Sequence, residues 1–326
     1  MIAAWDQRSR CCRRHVGALI TCLIIWGTLS TAPAQPPGTG GRQQHSVRQT
    51  WPQEPAGFER GYVVQLPRLR RERWPVIVVL HGNGGQAERA IGNWPARHPD
   101  CLVLAPQGYQ RSWNITRERS KAPDVAFITA MLADVQQRYP QADCGSLSLV
   151  GFSNGAALVY ALLIEWEATE AAAVRSAVAV VSSMTTDQFH DGKFWKRSDA
   201  SSADYDTPLE PACRCPLLTI HGTADTVVPY GGGRGPGGIH LSAQESAHAW
   251  ANARGFPGAP IPDTQGERIA GGLLRYTYPK AGVTHLKIPG GRHGLGPAHR
   301  VVDPLIDAFL QEAFLRDGLR REGTTP

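Results

Sequence analysis

A three-layer α/β sandwich, with a mostly parallel central sheet flanked by helices on both faces, is the fold the sequence predicts. Three observations point to it. Short runs that are apolar at consecutive positions recur along the chain; helix-like stretches separate them; and a glycine-framed serine follows one of the runs directly. Strands apolar on both faces belong in a parallel sheet covered on each side, and strand–helix alternation gives the layered architecture.

The buried-strand candidates are Val76 to Leu80, Leu102 to Ala105, Leu147 to Val150, Ala177 to Val181 and Leu217 to Ile220. Gly61 to Leu66, Leu273 to Tyr278 and Thr284 to Ile288 read as edge strands. Asp124 is expected to cap a helix that runs to about Tyr139 and stops at Pro140. Further helices are expected over 156–170, 243–254 and 304–315. Function in such sheets gathers at the carboxyl ends of the strands.

Before this domain, Arg8 to Arg14 precede an apolar run from Val16 to Leu29 and then Ala32-Pro33-Ala34, the pattern of a cleavable signal peptide over 1–34. The run is shorter than the roughly 20 residues of a spanning helix, so no stable membrane anchor is expected after cleavage. Secretion or a periplasmic location follows, and ordinary secretion fits better than the twin-arginine route hinted at by Arg13-Arg14. Residues 35–50, rich in Pro, Gly and polar groups, read as a flexible linker. One catalytic domain is expected over 51–318, with a disordered tail over 319–326.

The net charge of +6 is modest, and half of it lies in residues 1–34. It gives no electrostatic reason to expect a nucleic-acid partner. Cys101, Cys144, Cys213 and Cys215 remain after the leader, an even count that suggests disulfides in an exported protein without specifying the pairing. No oligomeric state follows from the residues.

The chemistry centres on Gly151-Phe-Ser153-Asn-Gly155, the single Gly-x-Ser-x-Gly of the chain. A buried strand precedes it and a small-residue helix follows, which is the strand–turn–helix that presents a serine hydroxyl at the top of a sheet. Asn154, next in the chain, is expected to supply one backbone N–H of an oxyanion hole. Asn83, or less favourably Gly84, supplies the other from the loop His81-Gly-Asn-Gly-Gly85. His81 itself reads as a local hydrogen-bonding residue that holds the loop.

An acid should follow a late strand, and Asp225 does, in a loop stiffened by Pro229; Asp187, Asp191 and Asp199 sit in a looser stretch. A base should come last, after the final strand. His293 fits, within Gly290-Gly-Arg-His-Gly294, whereas His285 and His299 read as surface residues. Imidazole suits the role because its ordinary pKa near 6.5 lets it take and return a proton. Gly233 to Gly238 matches Gly-x-Gly-x-x-Gly but does not directly follow a strand and contains Pro236, so it reads as a loop and no dinucleotide is expected. The spacing of His293, His299 and Asp303 does not suit a metal, and neither metal nor cofactor is expected.

Taken in order, His81–Gly85, Arg111-Ser-Trp-Asn114, Asp124-Val-Ala-Phe127, Gly151–Gly155, His221–Tyr230 and Gly290–Gly294 resemble the secreted polyhydroxybutyrate depolymerase and feruloyl esterase-like α/β-hydrolases, over about Gly61 to Leu315. The resemblance implies the α/β-hydrolase fold and a carboxylic ester hydrolase working through an acyl-enzyme. It places the triad on Ser153, Asp225 and His293. Where many relatives carry cysteines, this chain has Arg117 to Lys121, and it ends soon after its last helix. Soluble esters or oligomers, such as hydroxybutyrate oligomers or feruloyl and acetyl esters, are therefore expected as substrates. Trp113 and Trp195 are candidates to line the substrate pocket, and packing in loops as core is an equal alternative for both. A serine peptidase of the same fold and a non-catalytic binding protein on a hydrolase scaffold are the rival readings.

Overall fold

The computed structural model describes residues 40–69, 71–115, 120–199 and 204–322. The expected signal peptide lies outside the described residues, as do residues 35–39 and 323–326.

Strands β1 (Arg42–Trp51), β2 (Glu54–Gln65) and β3 (Trp74–Leu80) come first, then helices α1 (Ala87–Ile91) and α2 (Trp94–Arg97), then β4 (Leu102–Pro106). Helix α3 (Asp124–Arg138), β5 (Ala142–Phe152), α4 (Asn154–Glu165), α5 (Ala168–Ala173) and β6 (Val174–Val180) follow. Three short strands β7 (Phe189–His190), β8 (Lys193–Arg197) and β9 (Tyr205–Leu209) form a small separate sheet. The chain re-enters the main sheet as β10 (Leu217–Gly222), turns through the hairpin β11 (Gly233–Gly235) and β12 (Gly238–His240), and forms α6 (Ala243–Ala253). Strands β13 (Glu267–Arg268), β14 (Leu274–Tyr278) and β15 (Val283–Ile288) and helix α7 (His299–Glu322) complete it.

Among the described residues the main sheet has ten strands, in the order β1-β2-β4-β3-β5-β6-β10-β15-β14-β13. Its middle six are parallel, and antiparallel pairs close both sides. Period-2 alternation splits the core between the faces. Val76, Val78 and Leu80 of β3 join a cluster with Phe127, Met131, Leu158 and Trp250 on one face. Ile77 and Val79 join Ile91, Trp94, Ile306 and Leu310 on the other. This is the α/β-hydrolase arrangement the sequence predicts. Among the described residues, no helix is long and apolar enough to cross a membrane.

Several expectations are corrected. Residues 42–50, read as linker, are strand β1, zipped antiparallel to β2 from Arg42↔Gln65 to Gln49↔Phe58; a strand exposed on most positions carries no apolar signature. Gly61 to Leu66 is consequently interior, Thr284 to Ile288 lies between β10 and β14, and Leu273 to Tyr278 lies between β15 and the two-residue β13, so none of the three is an edge. Residues 319–322, read as tail, continue α7. Asp124 does not cap α3: Pro123 holds that position, and the buried Asp124 carboxylate pairs with Arg60 and accepts from the Asn114 amide at 2.6 Å. The four cysteines are free thiols. Cys101 packs on the face that carries α7, whereas Cys213 and Cys215 pack on the face that carries α3 and α4, so the sheet separates them.

Candidate active site

The turn from β5 into α4 places Ser153 at φ 53°, ψ −119°, a left-handed conformation that costs a non-glycine residue of order 1–3 kcal/mol. The flanking glycines make it possible. A Cβ on Gly151 would lie 2.2 Å from the Gly155 carbonyl oxygen, and one on Gly155 would lie 2.2 Å from the Leu80 carbonyl oxygen across in β3. Helix α4 is buried along nearly its whole length, which braces the turn from below.

Three distant segments converge on this hydroxyl. His293 Nε2 lies 2.8 Å from Ser153 Oγ, and His293 Nδ1 lies 2.8 Å from Asp225 Oδ2. The carboxylate can only accept, so Nδ1 carries the ring proton and Nε2 is left to accept from the serine. Asp225 is in turn fixed by the amides of Val227 and Val228, which donate to Oδ1 at 2.8 and 3.0 Å. Burial opposes its ionisation, but hydrogen bonds from His221, His293 and these amides outweigh that and hold the carboxyl at about 2. A serine, a histidine with one bare nitrogen and an aspartate ionised at neutral pH thus stand in line, a set able to move a proton off the serine.

The Asn83 and Asn154 amides have no hydrogen-bond partner among the described residues, whereas the Gly84 amide donates to the Arg111 carbonyl at 2.8 Å. That distinction favours Asn83 over Gly84. The loop is held from behind: the His81 ring bonds Gly82 O at 2.7 Å and accepts from the Gly108 amide at 3.0 Å, so it is the local brace the sequence suggested. Burial lowers its pKa.

The two tryptophans are placed differently from the expectation. Trp113 is wholly buried, donates to the His81 carbonyl at 2.8 Å and packs on its ring. It does not line the pocket; its backbone instead clamps the Asn154 side chain through bonds of 2.7 and 3.1 Å. Trp195 belongs to the small sheet, where it stacks on His190 at 4.5 Å away from the pocket. His285, read as a surface residue, is buried in β15 between Thr219 and Tyr230, and burial pushes its pKa down to about 3.

A cavity of about 500 Å³ opens over Ser153 and His293. Ile115, Ala157, Val227 and Val228 form apolar wall, and Ser112, Ser182 and Thr185 add hydroxyls. The remaining wall was missed by sequence reasoning: the glycine-rich stretch read as a loop is the β11–β12 hairpin, and Pro236, Gly237 and His240 line the cavity. His240 ties the hairpin down, with its ring nitrogens 3.2 Å from Ser183 O and 2.8 Å from Pro236 O. No local pattern marks such a wall, because it exists only once the hairpin docks on the segment after β6. Among the described residues, no three His, Cys, Asp or Glu side chains are grouped to hold a metal ion.

The serine hydrolase family FSH1 matches residues 106–232, a span holding Ser153 and Asp225. No curated protein sequence matches the chain. Among solved structures the chain is similar to a protein from Bacteroides ovatus described provisionally as a dipeptidyl aminopeptidase IV. The two are 13% identical, with a TM-score of 0.51 over 85% of this chain and 36% of that one. Est1E from Butyrivibrio proteoclasticus is 13% identical, with a TM-score of 0.48 over 83% of this chain and 99% of that one. The LpqC poly(3-hydroxybutyrate) depolymerase from Bordetella parapertussis is 17% identical, with a TM-score of 0.42 over 69% and 92%. At 13% identity the likeness to the Bacteroides ovatus protein is one of fold alone.

Proposed function

We propose that this α/β-hydrolase is an exported serine ester hydrolase acting through an acyl-enzyme. The observation that carries the reading is the relay of Ser153 Oγ, His293 and Asp225, linked by two contacts of 2.8 Å at the mouth of a cavity. Ser153 attacks the ester carbonyl while His293 Nε2 takes its proton. The oxyanion settles on the Asn83 and Asn154 amides, the alcohol leaves with the proton from His293, and water then releases the acid by the same route. No cofactor enters these steps. The serine hydrolase match over 106–232 supports the same class of chemistry.

The substrates proposed are soluble esters or oligomers, such as hydroxybutyrate oligomers or feruloyl and acetyl esters. A cavity of about 500 Å³ with mainly apolar walls and a few hydroxyls supports a small uncharged acyl group. Export rests on the basic, apolar and small-residue pattern of residues 1–34.

Replacing Ser153 with Ala tests the reading. The variant is expected to keep the fold and its thermal transition while hydrolysis of p-nitrophenyl butyrate falls by about 10⁴-fold or more. Activity equal to the parent protein rejects the site. A panel of feruloyl, acetyl-sugar and hydroxybutyrate esters then ranks the acyl groups by kcat/KM.

A further inference from the structure

His221 is the penultimate residue of β10, four residues before Asp225, with its ring buried. Its Nε2 lies 3.1 Å from Asp225 Oδ2 and 3.0 Å from the Val228 carbonyl oxygen. Both atoms are acceptors, so Nε2 must be the nitrogen that bears a proton. Its Nδ1 is buried and has no hydrogen-bond partner among the described residues. An N–H at that end would be a buried donor with nothing to receive it, which favours the bare nitrogen there. The two ends of the ring therefore give the same answer independently: a neutral imidazole with its proton on Nε2.

That proton completes the fixing of Asp225. Oδ1 is taken by the Val227 and Val228 amides, and Oδ2 receives His221 Nε2–H on one side and His293 Nδ1–H on the other. Val228 contributes twice, its amide donating to Asp225 and its carbonyl accepting from His221. With His221 in place the carboxylate cannot rotate about its Cβ–Cγ bond without breaking three bonds besides that to His293. Tyr230 packs edge-on against the His221 ring at 5.8 Å and is itself held by His285 at 3.0 Å.

We infer that His221 is a positioning residue: its Nε2–H donates to Asp225 Oδ2 and leaves that carboxylate one accepting direction, the one occupied by His293. The inference rests on the triad reading above, and it assigns His221 no contact with substrate, since His221 is not among the residues lining the cavity.

Two substitutions of unequal reach test it. Glutamine presents its side-chain amide at about the reach of imidazole Nε2, whereas asparagine stops about where Nδ1 stands. His221→Gln is expected to keep kcat for p-nitrophenyl butyrate within about threefold, and His221→Asn to lower it about 10- to 100-fold, with KM moving less than about twofold in both. Equal loss in the two variants, wild-type kcat in His221→Asn, or a change confined to KM overturns the inference. Nitrogen-15 NMR of histidine-labelled wild-type protein at neutral pH needs no variant. It is expected to show His221 protonated on Nε2 and bare on Nδ1, and the opposite tautomer overturns the inference. If Ser153→Ala hydrolyses esters like the parent protein, the triad reading itself falls. If Ser153→Ala is inactive and His221→Asn is not impaired, His221 alone loses its role.

Discussion

The loops that carry Asp225 and His293 leave neighbouring parallel strands, β10 and β15, yet they hold their residues in contrasting ways. The Asp225 side chain is 0% exposed and gathers donors from two amides and two imidazoles. The His293 side chain is 24% exposed, and its ring bonds are to Asp225 and Ser153 alone among the described residues. Four glycines, Gly290, Gly291, Gly294 and Gly296, stand within three residues of it. The contrast suits the two tasks proposed for these residues. A carboxylate that must stay ionised in an apolar setting needs every lone pair satisfied. A base that passes a proton from the serine to a leaving group needs a bare nitrogen and room to adjust.

The loops are nevertheless laced together. The Ala224 amide donates to Gly291 O at 2.8 Å, and the Gly290 amide donates to Thr223 Oγ1 at 2.8 Å. A Cβ on Gly222 would lie 2.3 Å from the Gly291 carbonyl oxygen. The base is 24% exposed at its tip, and its loop is anchored at its root.

Removing the charge breaks the comparison most severely. Asp225→Asn presents an amide to His293 and reverses which ring nitrogen is bare, so kcat is expected to fall by about 10⁴-fold while circular dichroism stays that of the parent protein. A loss below about tenfold would mean that the aspartate does not orient the base.

A pair of glycine substitutions separates root from tip. Gly222→Ala drives a methyl group into the Gly291 backbone and is expected to displace His293 enough to cost about 10²-fold in kcat. Gly294→Ala meets nothing within 4 Å and should leave kcat within about twofold. Equal sensitivity at the two positions would show the whole loop to be rigid.

A further effect is on stability in acid. Asp225 is held at about 2, below the ordinary aspartate value. Its ionised form therefore adds stability that is complete above about pH 4 and is lost as pH falls toward 2, by about 2 kcal/mol in all. Urea midpoints from pH 5 to 2 should fall more steeply for the parent protein than for Asp225→Asn; parallel curves would contradict the shift.

The parts readable from the sequence were those whose signal is local. Five buried strands announce themselves by consecutive apolar residues, and Gly151, Ser153 and Gly155 by a spacing whose steric reason lies within one turn. Strand β1 was hidden because most of its positions face solvent, so His45 and Val47 stand among polar neighbours. Trp113 was left open because a large aromatic suits a pocket and a core equally well; only its burial and its bond to the His81 carbonyl decide between them.

By itself the sequence determined the layered α/β fold, the serine turn, and the aspartate and histidine best placed to join it, because periodicity and backbone sterics act over a few residues. The tertiary structure decided everything that depends on distance between segments remote in the chain. The 2.8 Å contacts across 68 and 140 residues, the backbone amides of Asn83 and Asn154 that are unpaired among the described residues, the hairpin wall of the cavity and the second imidazole on Asp225 all belong to that class. Hydrogen bonds are made or lost over a few tenths of an ångström, and only the packed sheet sets positions that finely.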